Sequence, residues 1–548
     1  MTNPYMGEST ARGTVQLPYP LRAVTAEVAG DFTLPDYQPE IKRLLRIGVN
    51  LLPPDPDQAG GDLTGRMDYS VLYVGGDGGI YCAPLSTEYR LEIPTEGNTG
   101  SLPAAMGEPS VCLCDLSSEV PAGRVVSPRR LHIRCKVKGR VRAYGECPLG
   151  PWGTDGEDDP TVETLTAEVP VGRLYRALSE PLMLEDDIIL SPAEGEMRVI
   201  CAEGQVMMTE ASPAAGTVTC RGEVTVKLTL CPADTVGDLL AEITESAPAE
   251  KQAPQLTILK RKIPFSQTVG VEGVTSACAA TARGYCSEIT VQMDEGRIHP
   301  EVGVVTEVRA QRNQAVTCVA DLYSTRREEA CRYAAYPAEV ALRALNGNFT
   351  LSDSLPLADV GIDPAARVVD VTATATPEEL TADPDKGRCL LTGKCRCHLL
   401  LLKENEYTTA ELELPFRYEF DDLTLLRDAP TVNRDPDTPP AFDGSMEVVN
   451  CRARMDGERV GIDAELAVSL RTHAPAPFTA LSDVGYGGEV TRRRGEYVIC
   501  FPAPTDTLWS VAKRYHAPMA GLTAANNLAP GGQLDGAESL EGIKYLIV

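Results

Sequence analysis

The chain has 548 residues, 43% of them apolar and 5% aromatic, and a formal net charge of −27 at pH 7. That much apolar material argues against a disordered chain, and the length points to roughly three or four folded units. The acidic balance argues against a nucleic-acid partner, because a phosphate backbone is neutralised by clustered Lys and Arg. It disfavours an anionic membrane surface for the same reason. Such a chain suits a basic patch on another protein, or its charge simply keeps it soluble.

Met1-Thr2-Asn3-Pro4-Tyr5 carries no basic start and no apolar run of signal-peptide length, and no stretch approaches the roughly 18 apolar residues of a membrane helix. A cytoplasmic protein without an integral membrane segment is expected. Seventeen cysteines, an odd number without framework spacing, read as reduced core thiols rather than as a disulfide scaffold.

In chain order, Gly30-Asp31-Phe32-Thr33-Leu34 precedes Pro39-Glu40-Ile41-Lys42-Arg43-Leu44-Leu45, a candidate for a single helical turn with Pro at its first position. Leu63-Thr64-Gly65-Arg66 leads into an apolar-rich strand at 69–74, and Gly75-Gly76-Asp77-Gly78-Gly79 reads as a hairpin turn. Leu91-Glu92-Ile93-Pro94 follows, then an alternating stretch at 131–141 and an acidic break at 150–160. A second copy starts at Thr219-Cys220-Arg221-Gly222, whose strand at 223–230 alternates polar and apolar residues. A short helix capped by Asp238 is predicted over 238–243, a break lies at 246–254, and Lys262-Ile263-Pro264-Phe265 stands where Leu91-Glu92-Ile93-Pro94 stood. Stretches at 289–291 and 303–308 close this copy.

The third copy repeats the first in the same order. Gly347-Asn348-Phe349-Thr350-Leu351 is followed by a single turn at 364–368, Leu391-Thr392-Gly393-Lys394, a strand at 395–402 and Leu412-Glu413-Leu414-Pro415. A break at 428–444 and a strand at 460–470 complete it. The fold class is therefore mainly β: three tandem sheet or sandwich-like modules over 15–150, 162–335 and 340–475, then a linker at 476–493.

No catalytic set stands out. The five histidines, His132, His299, His398, His473 and His516, lie beside no Ser or Cys nucleophile signature, and no phosphate-binding loop is present. Cys395-Arg396-Cys397-His398 has one residue between its cysteines where zinc sites favour two to four. On a strand this puts the thiols on one face and His398 on the other, so a sheet core is the better reading. Cys112-x-Cys114 has the same spacing. Glu157-Asp158-Asp159 and Glu185-Asp186-Asp187 lack the spacing of a calcium loop and read as solvated charge. No enzyme, metal or cofactor is predicted; oxidation remains able to cross-link exposed cysteines.

The last residues hold the sharpest pattern. In Thr505-Asp506-Thr507-Leu508-Trp509-Ser510-Val511-Ala512-Lys513-Arg514-Tyr515, residues 508, 511, 512 and 515 share one face of a short helix that Thr505 or Asp506 can cap. With strands at 497–501 and 543–548 and with Asn526-Asn527-Leu528, this stretch (494–548) resembles a LysM module, a small α+β (βααβ) recognition fold. The three copies resemble the SPOCS repeat, and the order of pieces resembles spore-coat morphogenetic proteins of the SipL type. The resemblance carries hallmarks at Leu34-Pro35, Pro39, Ile41, Leu44-Leu45, Gly65-Arg66 and Ile93-Pro94 or Ile263-Pro264-Phe265.

By that resemblance the ligand loops are Ala503, Pro504, Thr505, Asp506 and Thr507 on one side and Asn527-Leu528 with a lengthened stretch to Gly536 on the other. In wall-binding LysM modules these loops hold N-acetylated glycan. Here Thr505 replaces the usual Gly and removes its open backbone. In SipL-type proteins the module instead contacts a coat-basement ATPase of the SpoIVA type. The resemblance thus implies an adaptor in the mother-cell cytoplasm at the forespore surface, bound to that ATPase and other coat proteins. Peptidoglycan or cortex glycan is the alternative ligand. Trp509 is a candidate anchor, although on so short a helix a core role competes.

Overall fold

The computed structural model describes residues 14–55, 62–93, 109–149, 161–190, 196–233, 255–294, 296–383, 388–420, 441–490, 498–528, 540 and 543–548. The helix expected at 238–243, the breaks at 150–160 and 246–254 and the loop at 529–536 lie outside the described residues, as does most of the break at 428–444. The chain is mainly β, and the same arrangement occurs three times.

Unit 1 comprises β1 (Thr14–Pro18), β2 (Arg22–Thr33), β3 (Ile41–Leu52), β4 (Asp62–Gly75), β5 (Ile80–Glu92), β6 (Ser110–Ser118), β7 (Ala122–Ser127) and β8 (Arg130–Pro148). The antiparallel meander β3-β4-β5 packs on a sheet built around the long β8, which β1 and β2 flank on one side and β6 and β7 on the other. Inward residues of both sheets, among them Val24, Leu131 and Ile133 against Met67, Tyr69 and Val71, form one core. Unit 2 holds β9 (Val162–Leu178), β10 (Leu182–Glu185), β11 (Ile188–Ile189), β12 (Met197–Ala214), β13 (Thr217–Pro232), β14 (Thr257–Gly270), β15 (Ala279–Asp294) and β16 (Arg297–Ser324). Here β12-β13-β14 is the meander and β16 the central strand. Unit 3 holds β17 (Arg327–Tyr336), β18 (Glu339–Pro356), β19 (Arg367–Asp383), β20 (Arg388–Lys403), β21 (Glu406–Phe420), β22 (Ala441–Asp456), β23 (Arg459–Pro475) and β24 (Phe478–Glu489), with meander β19-β20-β21 and central β23.

Three sequence expectations are corrected. The helical turn over 39–45 is absent: Ile41 N–H donates to Pro128 O at 2.6 Å and starts β3, and the turn lies earlier, closed by Gln38 N–H to Pro35 O. The linker expected over 476–493 is mostly β24, whose partner β17 lies about 150 residues earlier, so the pairing leaves no local signal. The repeat register also shifts. Gly65, Gly222 and Gly393 face Tyr89, Phe265 and Phe416 across the meanders, so Leu412-Glu413-Leu414-Pro415 matches residues 85–88, six positions before the run first matched to it. Likewise Leu34, Leu190 and Leu357 are the equivalent residues, each buried and each donating its N–H to the residue before the central strand. A six-residue slip preserves inward and outward alternation, so hydropathy alone cannot see it.

The registered glycines have a steric cause. A Cβ at any of the three would collide with the facing aromatic ring and with a carbonyl of the preceding strand, Leu52, Met207 or Thr376. The ring covers bare backbone in place of a side chain.

The units close on one another. The far half of each middle strand (Val71-Leu72-Tyr73, Leu228-Thr229-Leu230-Cys231 and Leu399-Leu400-Leu401-Leu402) is buried on both faces because its outer face meets the neighbouring units. Each meander's first strand bulges at the same place, at Leu45, Ile200 and Val369, and these residues meet in one apolar cluster. Beside it lies a buried ionic centre drawn from all three units. Arg46 reaches Glu203 at 2.7 Å and Asp370 at 3.0 Å, and Lys227 reaches Asp370 at 2.5 Å. Burial pushes the Glu203 carboxyl up, but Arg46, Lys227 and hydrogen bonds from Ser70 and Arg46 outweigh it and hold it below the ordinary range; burial and then Arg46 lower Lys227.

A second apolar junction joins Val15 and Leu17 with Val171 and Val316 and with the stacked Tyr336–Phe478 pair, whose ring centroids are 5.0 Å apart. Near it Arg142, Arg309 and Arg471, at one position of the three central strands, are all buried. Arg142 grips Glu339 of unit 3 with both Nη atoms, Arg309 donates to the Cys114 and Leu113 carbonyls of unit 1, and Arg471 lines a cleft with Arg283 and Glu307 of unit 2. Each arginine faces the next unit round, which makes the arrangement approximately threefold.

Candidate functional site

The tail folds as β25 (Ile499–Cys500), α1 (Leu508–Arg514), α2 (Met519–Ala525) and β26 (Leu546–Ile547), the two strands pairing antiparallel. Leu508, Val511 and Ala512 fill its core with Cys500, Leu522 and Leu546, the face that the helical spacing predicts. The cap is Thr507, one residue beyond the expected pair. Its hydroxyl accepts from Ser510 N–H at 3.1 Å, and Ser510 Oγ accepts from Thr507 N–H at 2.9 Å. Asp506 instead turns inward, accepting from Ala503 N–H at 2.9 Å and from Arg514 Nη2 at 2.5 Å. Arg514 first, and then that N–H, hold its carboxyl below the usual range.

The expected ligand residues therefore divide. Pro504, Thr505 and Asn527 are exposed, Thr507 and Leu528 are half-buried, and Asp506 is buried and committed to the loop's own structure. Asn527 has φ 51°, a left-handed conformation that asparagine tolerates. Its neighbour Asn526 ties α2 to β26, donating to the Leu522 and Ile547 carbonyls and accepting from Ile547 N–H.

Trp509 is placed differently from a partner anchor. It is buried against the chain's own unit 2, its Nε1 donating to Asp321 Oδ2 at 2.8 Å and its ring edge-on to Tyr323 at 4.9 Å. Lys513 Nζ reaches the other Asp321 oxygen at 2.5 Å, Tyr323 Oη donates to Ala517 O at 2.7 Å, and His516 Nδ1 lies 2.7 Å from Ser324 O. Burial pushes the Asp321 carboxyl up, but hydrogen bonds from Lys513, Tyr333, Trp509 and Leu322 N–H outweigh it and hold it low. The tail is seated on β16 by a polar clamp around one carboxylate.

The outer face of the two tail strands is exposed among the described residues. Cys500 and Leu546 point inward, which turns Ile499, Phe501 and Tyr545 outward; Phe501 is 74% exposed and Tyr545 55%. Sequence reasoning missed this apolar patch, although the alternation through Ile499-Cys500-Phe501 carries the signal.

The remaining candidates are spread over the three units. Cys395 and Cys397 are buried with sulfurs 3.9 Å apart, and His398 lies on the other face, where burial and the nearby Arg46 lower its pKa. His132 pairs with Asp31, His299 with Asp187 and His473 with Gln311. Asp186 holds Arg261. Among the described residues no group of three His, Cys, Asp or Glu side chains is placed to hold a metal ion, and no helix is long and apolar enough to cross a membrane. The cleft beside Arg471 offers about 30 Å³, room for a water or two. Compared with protein-family models, with curated proteins and with solved structures, the chain matches none.

Proposed function

We propose that this protein is a non-enzymatic adaptor of spore-coat assembly. It works in the mother-cell cytoplasm at the forespore surface, where its tail docks onto a coat-basement ATPase of the SpoIVA type and its three units carry other coat proteins. One observation carries the reading: the tail is fixed to β16 through Trp509 and Lys513 and, among the described residues, keeps exposed loop and strand side chains outside that contact. Exposed on the tail are Pro504, Thr505 and Asn527 in its loops and the apolar Ile499, Phe501 and Tyr545 along its strands. Rigid presentation lowers the ordering cost of association, and exposed aromatic residues are the type that carries interface energy.

The test is capture of the purified ATPase by the full chain carrying Phe501→Ala or Thr505→Arg. Capture falls by about tenfold for a residue of hot-spot weight; capture unchanged by both substitutions overturns the docking role. Glycan held at the exposed Pro504-Thr505 and Asn527 loops is the second reading. Sedimentation with purified peptidoglycan separates the two: strong co-sedimentation lost in Thr505→Arg supports glycan.

A further inference from the structure

Of the sixteen described cysteines, all free thiols, only Cys82 and Cys331 are not buried. Cys82 lies on β5 of unit 1. Its Sγ–H donates to Cys201 Sγ at 3.1 Å, and Cys201 stands on β12 of unit 2, next to the bulge at Ile200. The two are 119 residues apart in sequence and meet only because the units close on each other. Cys395 and Cys397 differ on both counts: they belong to one strand, and both are sealed in the unit 3 core. Cys331 has a backbone carbonyl, that of Leu322, as its thiol's partner.

We infer that Cys82 and Cys201 are a disulfide-forming site that staples unit 1 to unit 2, with a low-molecular-weight disulfide as the oxidant. Cys82, the only one of the two that is not fully buried, loses its proton and attacks the small disulfide, releasing one small thiol and leaving a mixed disulfide on Cys82. Cys201 then loses its proton and attacks the Cys82 sulfur, expelling the second small thiol. Two protein thiols give up two electrons and two protons, and the oxidant leaves as two thiols. The groups facing Cys82 set the rate. The Cys201 hydrogen bond, burial and the Cys201 and Glu203 charges hold its thiol well above the ordinary range, and Arg46 offsets this only in part. Since the thiolate is the nucleophile, closure is slow at neutral pH and speeds by about tenfold per pH unit as the solution is made alkaline.

The experiment uses the reduced full chain, incubated with oxidised glutathione at neutral and at mildly alkaline pH, alkylated and mapped without reduction. The expected result is an unchanged oligomeric state, the loss of two titratable thiols, one linked peptide pair containing Cys82 and Cys201, and a raised Tm. Cys82→Ser loses both the link and the rise in Tm. Three outcomes overturn the inference: all thiols retained under native conditions, Cys82 left glutathionylated without closure, or a link between other cysteines. Mapping of the unsubstituted chain decides it even if Cys82→Ser folds poorly.

Discussion

Asp321→Ala tests how the tail is held. The carboxylate accepts from Trp509 Nε1 at 2.8 Å, Lys513 Nζ at 2.5 Å, Tyr333 Oη at 2.6 Å and Leu322 N–H at 2.8 Å. The Tyr333 side chain is exposed and can turn to water, whereas the indole N–H would be left facing a void. An unmade buried donor costs about 1–3 kcal/mol, and the partly exposed pair with Lys513 adds about 1 kcal/mol or less. A loss of about 1–4 kcal/mol lowers the docked-to-undocked ratio by about 5- to 700-fold. Asp321→Asn keeps an acceptor for the indole and should lose only about 1 kcal/mol.

The pH dependence has a definite sign. Because the folded-state carboxyl is held low, its contribution is complete above the unfolded Asp value of about 4 and is lost as the pH falls through the folded value. The unsubstituted tail therefore loosens only in acid, and Asp321→Asn removes this group's share of that acid dependence. The chain has two tryptophans, so with Trp152→Phe the emission of Trp509 reports docking alone. Undocking shifts it to the red and speeds amide exchange in α1. Unchanged emission and exchange in Asp321→Ala would show that apolar packing against Tyr323 holds the tail without the carboxylate, and would refute the clamp.

Asp370→Asn leaves Arg46 and Lys227 with only Glu203 in a buried site, and breaking such a group costs about 3–5 kcal/mol. The urea midpoint should drop accordingly, and Lys227→Met in the same chain should recover part of it; a loss below about 1 kcal/mol would contradict the buried-charge reading. Gly393→Ala drives a methyl into the Phe416 ring and the Thr376 carbonyl, and overpacking of this kind costs about 1–3 kcal/mol. An unaltered Tm would mean that Phe416 does not cover that glycine.

Much of the fold was legible because strands announce themselves locally. The alternation of β13 and the ordered runs around Gly65, Gly222 and Gly393 exposed three similar units, and residues 508, 511 and 512 marked the helix of the tail. What escaped depends on partners far away in sequence. Arg46, Lys227 and Asp370 look like solvent-facing charges on their own strands and become buried only where three meanders meet. Asp321 gave no local sign of its tie to Trp509, 188 residues on. The Val141-Arg142, Val308-Arg309 and Leu470-Arg471 pairs recur in the sequence, but nothing local distinguishes a buried arginine from a solvated one. The site was half legible: Pro504, Thr505 and Asn527 emerge on the surface, Asp506 and Trp509 do not, and the outward turn of Phe501 follows from alternation along the strand.

The approximately threefold closure has a consequence for how such a chain can change in length. In an open solenoid each repeat offers a free face to the next, so repeats can be gained or lost one at a time. Here the third unit returns to the first, Arg142 on Glu339 and Arg46 on Asp370, so a fourth would have to part a junction already made. Copy number is set by geometry at three. Excising any one unit strips the other two of a wall of both junctions.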